Sequence, residues 1–283
     1  MYKIGLSSCG FPLSEENFDK LQQAGISAIE ISMSTEKYNS IDYKNVEKLS
    51  NKYGIDLWSY HLPFYPFDKI NIASLDKDVR SNTIEYLKEF IKKGAAIGFD
   101  KFIIHPSGEP NGANERAEKL CYAMQSLDIL AEFAHKEGAV MAVEDLPRTC
   151  LGNTAQDILK LISANDKLRI CFDTNHLLED NNINFLEKCG DKIITVHVSD
   201  YDFINERHWL PGEGKIDWKE FINKFNQINY NGVWMYEISL ANESTMKRNR
   251  LLAFDDFYKN AQNIFKGVNP LTGIENLTRE YLV

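Results

Sequence analysis

The chain has 283 residues, 43% of them hydrophobic and 26% charged, the ordinary balance of a globular protein. Its net charge of −9 weighs against a nucleic-acid partner, and its apolar runs are too short to span a membrane. The MYKIGLSS start lacks the basic head and apolar core of a signal peptide, and Cys9, Cys121, Cys150, Cys171 and Cys189 form no CxxC pair, so reduced thiols in a cytoplasmic protein are expected.

Eight β-rich runs recur: KIGLSS (3–8), AIEIS (28–32), DLWSYHL (56–62), KFIIHPS (101–107), VMAVEDL (140–146), LRICFDT (168–174), IITVHVSD (193–200) and VWMYEIS (233–239). The segments between them have helical periodicity. Ser14 caps a first helix, with Asn17 three residues on and Gly25 as its stop. A long helix is predicted over about 74–97, ending at Gly94 or Gly98, and an amphipathic one over 115–137, stopping at Gly138. Later helices start near Asn153/Thr154, Asn182 and Asp217, and the last spans about 243–265.

Strict strand–helix alternation indicates an α/β protein with a parallel sheet and crossover helices. The length fits one domain, a (β/α)₈ TIM barrel over residues 1–265. A doubly wound sheet would want a GxGxxG turn after an early strand, and none is present. Residues 266–283 form an extension expected to pack over the barrel bottom or against a partner subunit in a homo-oligomer.

Barrels of this kind react at the carboxyl ends of their strands. The polar positions there are Ser7, Glu30, His61, His105, Glu144, Asp173, His197 and Glu237. A barrel with only a core to fill has no reason to end every strand so. Glu144, Asp173, His197 and Glu237 fall on four consecutive strands. Burying one lone carboxylate costs several kcal/mol even after relaxation. Any one of the four could pair with a nearby base or amide, but few Lys or Arg share these runs. Together they call for a divalent metal. Oxygen-rich ligation with one nitrogen suits Mn²⁺ best, and Co²⁺, Mg²⁺ and Zn²⁺ are compatible.

His61, His105, His176, Arg207 and His208 are candidates for substrate contact. Arg207 and His208 lie in ERHWLPGEGKIDW (206–218), where Pro211, Gly212 and Gly214 make a tight loop and Asp217 an N-cap. The Arg207 fork suits a substrate oxygen or phosphate, or is simply a surface charge. The histidines could equally close turns. Trp58, Tyr60, Phe64, Trp209 and Trp234 are candidates for the apolar wall of a sugar site, or ordinary packing residues.

Over residues 2–265 these motifs resemble the xylose-isomerase-like barrel superfamily, which contains sugar and sugar-phosphate isomerases and epimerases and the endonuclease-IV-type AP endonucleases. Its ketose 3-epimerase and hydroxypyruvate-isomerase branches carry a Glu on strand five, DTxH after strand six, HV on strand seven and a Glu on strand eight. Here these are VED with Glu144, DTNH with Asp173 and His176, HVSD with His197, and YEIS with Glu237. The resemblance implies that both glutamates are ligands and acid/base groups, and that His176 and Arg207 contact substrate. The nuclease branch adds histidines on strands three and four and a D-R-H…G-E-G element after strand seven. This chain has His61, His105 and ERHWLPGEG, with Glu206 in the Asp position. That resemblance implies the alternative of an AP endonuclease with a multinuclear cluster of His61, His105, Glu144, Asp173, His176, His197, Glu206, His208 and Glu237. The extra methylene at Glu206 is expected to disturb such a cluster, and no basic, aromatic-laced loop for gripping DNA stands out.

The leading expectation is therefore a metal-dependent sugar or sugar-phosphate isomerase or epimerase that removes a proton next to a carbonyl through a metal-stabilised enediolate. Glu144 and Glu237, three strands apart, would approach it from opposite sides. A barrel that binds carbohydrate without turning it over is the non-enzymatic alternative.

Overall fold

Each β-rich run carries the β-branched and aromatic residues that favour a strand, and each is followed by a helix that returns the chain to the barrel's other end. In this computed structural model, which describes residues 2–241 and 245–282, the barrel strands are β1 (Lys3–Ser7), β2 (Ala28–Ile31), β3 (Asp56–His61), β4 (Lys101–Ile104), β5 (Val140–Glu144), β6 (Arg169–Asp173), β7 (Ile193–His197) and β8 (Val233–Tyr236). The helices are α1 (Glu15–Gln23), α2 (Thr35–Tyr38), α3 (Tyr43–Tyr53), α4 (Lys77–Ala95), α5 (Ala113–Lys136), α6 (Ala155–Ile162), α7 (Asn182–Cys189), α8 (Trp218–Phe225) and α9 (Phe254–Phe265). The strands are parallel, ordered β7-β6-β5-β4-β3-β2-β1-β8. A Val198–Tyr236 bridge, with Val198 N donating to Met235 O at 2.8 Å, joins the two ends. The fold is a (β/α)₈ barrel.

Side-chain caps fix where helices start. Ser14 Oγ accepts from Asn17 N, the Thr154 hydroxyl from Asp157 N, and the Asp217 carboxylate from Lys219 N and Glu220 N. The expected 74–97 helix begins at Lys77 because Asp76 takes its first amides, those of Asp78 and Val79. Asn181, rather than Asn182, caps α7 through Asn184 N.

The expected helix over 243–265 is shorter than its periodicity. Residues 243 and 244 lie outside the described residues, and β9 (Met246–Arg248) precedes α9. It pairs antiparallel with β10 (Arg279–Tyr281) from the chain's end. The Arg248 guanidinium is buried on the Glu213 carboxylate at 2.6 and 3.1 Å. A distant strand partner and a buried ion pair override a local helical preference. The extension thus lies on the loops after β7 and β8: Tyr281 Oη donates to Glu213 O at 2.6 Å and packs edge-on to Trp209. It covers the strand-end rim, not the barrel bottom.

Strand side chains alternate between the two faces of the sheet. On the inward face small and apolar residues come first: Ala28, Val233 and Met235 form one cluster, and Ile103, Ala142 and Cys171 another. Two residues further along those strands stand Glu30, Glu237, His105, Glu144 and Asp173. The outward faces pack on helix residues such as Phe18, Phe90, Leu127 and Phe221. Period two thus places the polar layer above an apolar plug. The five cysteines are free thiols, and no described helix is long and apolar enough to cross a membrane.

Arg248→Met leaves Glu213 as an uncompensated buried charge, so denaturant unfolding should show a loss of about 3–5 kcal/mol. Adding Glu213→Leu should recover most of it. A double variant no more stable than the single one would show that the ion pair is not the cause.

Candidate metal centre

The inward-facing strand ends converge on Glu144. Its Oε1 lies 2.8 Å from His197 Nδ1, and its Oε2 lies 3.0 Å from His61 Nε2 and 3.1 Å from His105 Nε2. His197 Nδ1 also faces Glu237 Oε2 at 3.3 Å and Asp173 Oδ2 at 3.8 Å. Glu144, Asp173, His197 and Glu237 thus offer ligand atoms all within 4.8 Å of one another. The sequence placed these four together, and so does the structure. His61, His105 and Glu144 make a second such group.

A third group comprises His176, Glu206 and His208. His176 Nδ1 hydrogen-bonds the Asp145 carbonyl at 2.8 Å, which turns Nε2 toward Glu206 Oε2 at 3.5 Å. The added methylene of Glu206, expected to disturb a cluster, is accommodated. Arg148 holds Glu206 Oε1 at 3.1 Å, and that leaves Oε2 facing the histidine. His208 Nδ1 sits 3.2 Å from the Glu237 carbonyl.

Arg207 lies elsewhere. Its guanidinium binds the Asp202 carboxylate at 2.8 and 2.9 Å, away from the cavity that holds the other candidates. That cavity, about 210 Å³, is lined by His61, His105, Glu144, His176, His208 and Glu237 together with Phe64, Glu109, Arg148 and Glu206. Arg148, which no sequence motif marks, is the guanidinium there. It is held by Glu109 at 2.5 to 3.2 Å as well as by Glu206. No local signal separates Arg148 from Arg207, since both sit in irregular loops. Both Arg148 (φ 53°) and His208 (φ 51°) keep a left-handed backbone that costs a non-glycine residue on the order of 1–3 kcal/mol, the kind of strain that gathers at functional sites.

Of the proposed aromatic wall, Phe64 lines the cavity and stacks on the His105 ring, centroids 4.0 Å apart. Tyr60 and Trp234 are buried in the core, and Trp209 packs on Tyr281. Trp58 lines a larger cavity of about 760 Å³ at the opposite end of the barrel, where Lys3 is the one charged lining residue. The ionisable side chains gather in the smaller space.

Two further residues support the loop after β7. Asp200 accepts from Gly212 N, Ile216 N and Trp218 Nε1 at 2.8 to 3.1 Å. A Cβ on Gly214 would stand 2.3 Å from Asp200 Oδ1, so only glycine fits there. Asn175 Oδ1 accepts from Arg207 N and His208 N, fixing the segment that aims His208.

Electrostatics follow from crowding. Burial would raise Glu144, but His197 and His105 outweigh it and hold the carboxylate well below its ordinary range. Burial raises Glu237, and the Glu144 charge adds to that. Burial disfavours a charged His197 ring, yet Cys171, Glu237, Glu30 and Glu144 lift it well above the usual imidazole value. Because burial keeps the Cys171 thiol neutral, the three carboxylates are the operative neighbours. His176 is likewise raised to about 9 by Asp173, Glu144 and Glu206 against its burial.

The donor set fits a divalent ion. Asp173 Oδ2 is buried without a hydrogen-bond partner and points into the four-residue group. Such an orphaned charged oxygen is costly unless a cation meets it. A family model described as xylose isomerase-like TIM barrel matches residues 18–253. The chain belongs to this family. It is similar to the solved structure of a D-tagatose 3-epimerase-like protein, with a TM-score of 0.80 and 25% identity over 94% of this chain and 98% of that one. A fructoselysine 3-epimerase of Shigella flexneri is 23% identical over 282 residues, 90% of this chain and 99% of its own. A probable endonuclease 4 of Thermoplasma acidophilum is 26% identical over 184 residues, 59% of this chain and 61% of its own. Family membership thus brings both sugar epimerases and nucleases alongside one set of strand ends.

A raised His176 stabilises the metal-free fold fully below its ordinary value of 6.5, and that contribution is lost as pH rises through about 9. The melting temperature of metal-free protein should therefore fall between those values. Saturating Mn²⁺ should release protons at neutral pH and flatten the slope, which calorimetry in buffers of different ionisation enthalpy reads directly. A flat metal-free profile would contradict the charge balance described here.

Proposed function

We propose that the protein is a divalent-metal-dependent sugar isomerase or epimerase that moves a proton at a carbon next to a carbonyl. One observation carries the reading: Glu144, Asp173, His197 and Glu237 gather at the ends of four consecutive strands, with both glutamates in the cavity wall. The similarity to epimerases supports carbohydrate as the substrate class. An ion held by these four residues, Mn²⁺ by preference, would supply Lewis-acid polarisation to the carbonyl and its neighbouring hydroxyl.

The chain's own groups divide the proton work. In the metal-free fold Glu144 is kept ionised by its histidines and Glu237 is pushed toward its protonated form, an asymmetry that supports Glu144 as base and Glu237 as acid. Glu144 takes the proton from the carbon beside the carbonyl. The C–H electron pair becomes the double bond of an enediolate, and the carbonyl oxygen takes the charge. Glu237 returns a proton from the other side. Return to the same carbon on its other face gives an epimer; return to the neighbouring carbon, with the hydroxyl proton passing to the former carbonyl oxygen, gives an isomer.

The remaining cavity groups orient and exclude. His61 and His105 hold Glu144 Oε2 in place, and Phe64 offers an apolar face to a sugar ring. Glu109, Arg148 and Glu206 narrow the mouth, and keeping water out strengthens every charge inside. A cavity of about 210 Å³ is small, in keeping with a ligand of monosaccharide size. Arg148 is already engaged by two carboxylates, so a neutral sugar fits better than a sugar phosphate.

A second reading is favoured by a specific observation. The groups His61–His105–Glu144 and Glu144–Asp173–His197–Glu237 share Glu144, and His176–Glu206–His208 lies beside them. Three adjacent donor groups suit a multinuclear centre, and with it an endonuclease-IV-type AP endonuclease.

Glu144→Gln and Glu237→Gln should each lower turnover by about 10²- to 10⁴-fold, the usual worth of a positioned acid or base. Mn²⁺-loaded protein incubated with ketoses in D₂O should place solvent deuterium on the sugar. Nicking of an abasic-site oligonucleotide, with three ions per chain by elemental analysis, would replace the isomerase by the nuclease. Near-full activity of the Glu144→Gln variant would remove its role as base.

A further inference from the structure

We infer that Glu30 is a positioning residue for His197: it holds the proton of that ring on Nε2, so that Nδ1 presents a lone pair to a divalent ion. The inference rests on the metal-site reading above and concerns a residue outside the four-ligand set.

Glu30 closes on the centre from β2, where the pairing with β3 shifts register between Ile29 and Glu30. Such irregularities re-aim the side chains beside them. The carboxylate is fully buried. Its Oε2 accepts from Ser59 Oγ at 2.6 Å and lies 3.0 Å from His197 Nε2. Glu30 does not line the cavity, so it acts through the histidine rather than on substrate.

The geometry on the other side of the ring gives this contact its meaning. His197 Nδ1 faces Glu144 Oε1, Glu237 Oε2 and Asp173 Oδ2 at 2.8, 3.3 and 3.8 Å. With nothing at Nε2, those three acceptors would draw the ring's proton to Nδ1, and an N–H there cannot ligate. An ionised carboxylate can only accept, so Glu30 keeps a proton on Nε2 and leaves Nδ1 bare when an ion arrives. The same contact makes the ring a stronger donor, and loss of such a carboxylate typically costs 10- to 100-fold in metal affinity. Ser59 holds Glu30 in line.

The test is Glu30→Gln, which keeps the side chain's shape and removes its charge. Mn²⁺ titration of metal-stripped protein that circular dichroism shows to be folded should show Kd raised about 10- to 100-fold. Ser59→Ala, which keeps the carboxylate, should change Kd far less. In the Zn²⁺-loaded parent protein, ¹⁵N-resolved NMR should find the His197 proton on Nε2. A parent-like Kd for Glu30→Gln, or a proton on Nδ1, overturns the inference while leaving the metal site standing. Should Glu30→Gln not fold, the NMR measurement on the parent protein still decides. A parent protein that takes up no divalent ion overturns both the inference and the metal reading.

Discussion

Negative charge brought together inside a low-dielectric barrel is the constraint on which this molecule depends. Glu30, Glu144, Asp173 and Glu237 all rise into one polar layer above an apolar plug, and burial leaves them little water. Such a layer survives only if positive charge enters it. In the metal-free fold imidazoles supply that charge: His197 and His176 are held protonated well beyond the ordinary range. An ion would displace those protons and take their place. Asp173 Oδ2, buried and without a partner, marks where the protonated rings alone leave the balance incomplete. Binding of a cation and proton release are thus two sides of one equilibrium.

The frame around this layer is built so that the charge cannot relax by moving apart. Parallel register fixes the strand ends, and the strands are tied into a ring. The loop after β7 carries Glu206 and His208 and is fastened at several points. Asp200 gathers its amides, Arg248 neutralises its Glu213, and the chain's last strand, through Tyr281, covers it. Left-handed backbone at Arg148 and His208 is held by hydrogen bonds: Asn153 donates to the Arg148 carbonyl, and Asn175 accepts from His208 N. Strain and unfavourable charge therefore sit where chemistry is proposed, and the core and caps compensate.

The chain is similar both to sugar epimerases and to an endonuclease. Among the described residues several donor groups meet at the strand ends, and Glu144 belongs to more than one of them. What differs between the readings is how many ions the donors hold and what the mouth admits. Here the mouth is narrowed by Arg148 with Glu109 and Glu206, and the cavity is small. In the function proposed above, those features suit a compact neutral ligand rather than an extended polyanion. Occupation of the His176–Glu206–His208 group is the variable that separates them.

Much of this was legible in the chain itself. Strand periodicity is strictly local, so Glu144, Asp173, His197 and Glu237 could be placed on one rim from residue order alone. Helix caps such as Ser14, Thr154 and Asp217 are likewise short-range, and they fall where the sequence puts them. The tertiary structure decided what depends on distant partners. It turned the start of the expected last helix into β9 by pairing it with residues some thirty positions away. It tied Arg207 to Asp202 and aimed Arg148 into the cavity, although nothing near either residue distinguishes them. It set Glu30 against His197 across the barrel, a contact between residues 167 positions apart. Alternation tells which way a side chain faces, and only closure of the ring tells what it meets there.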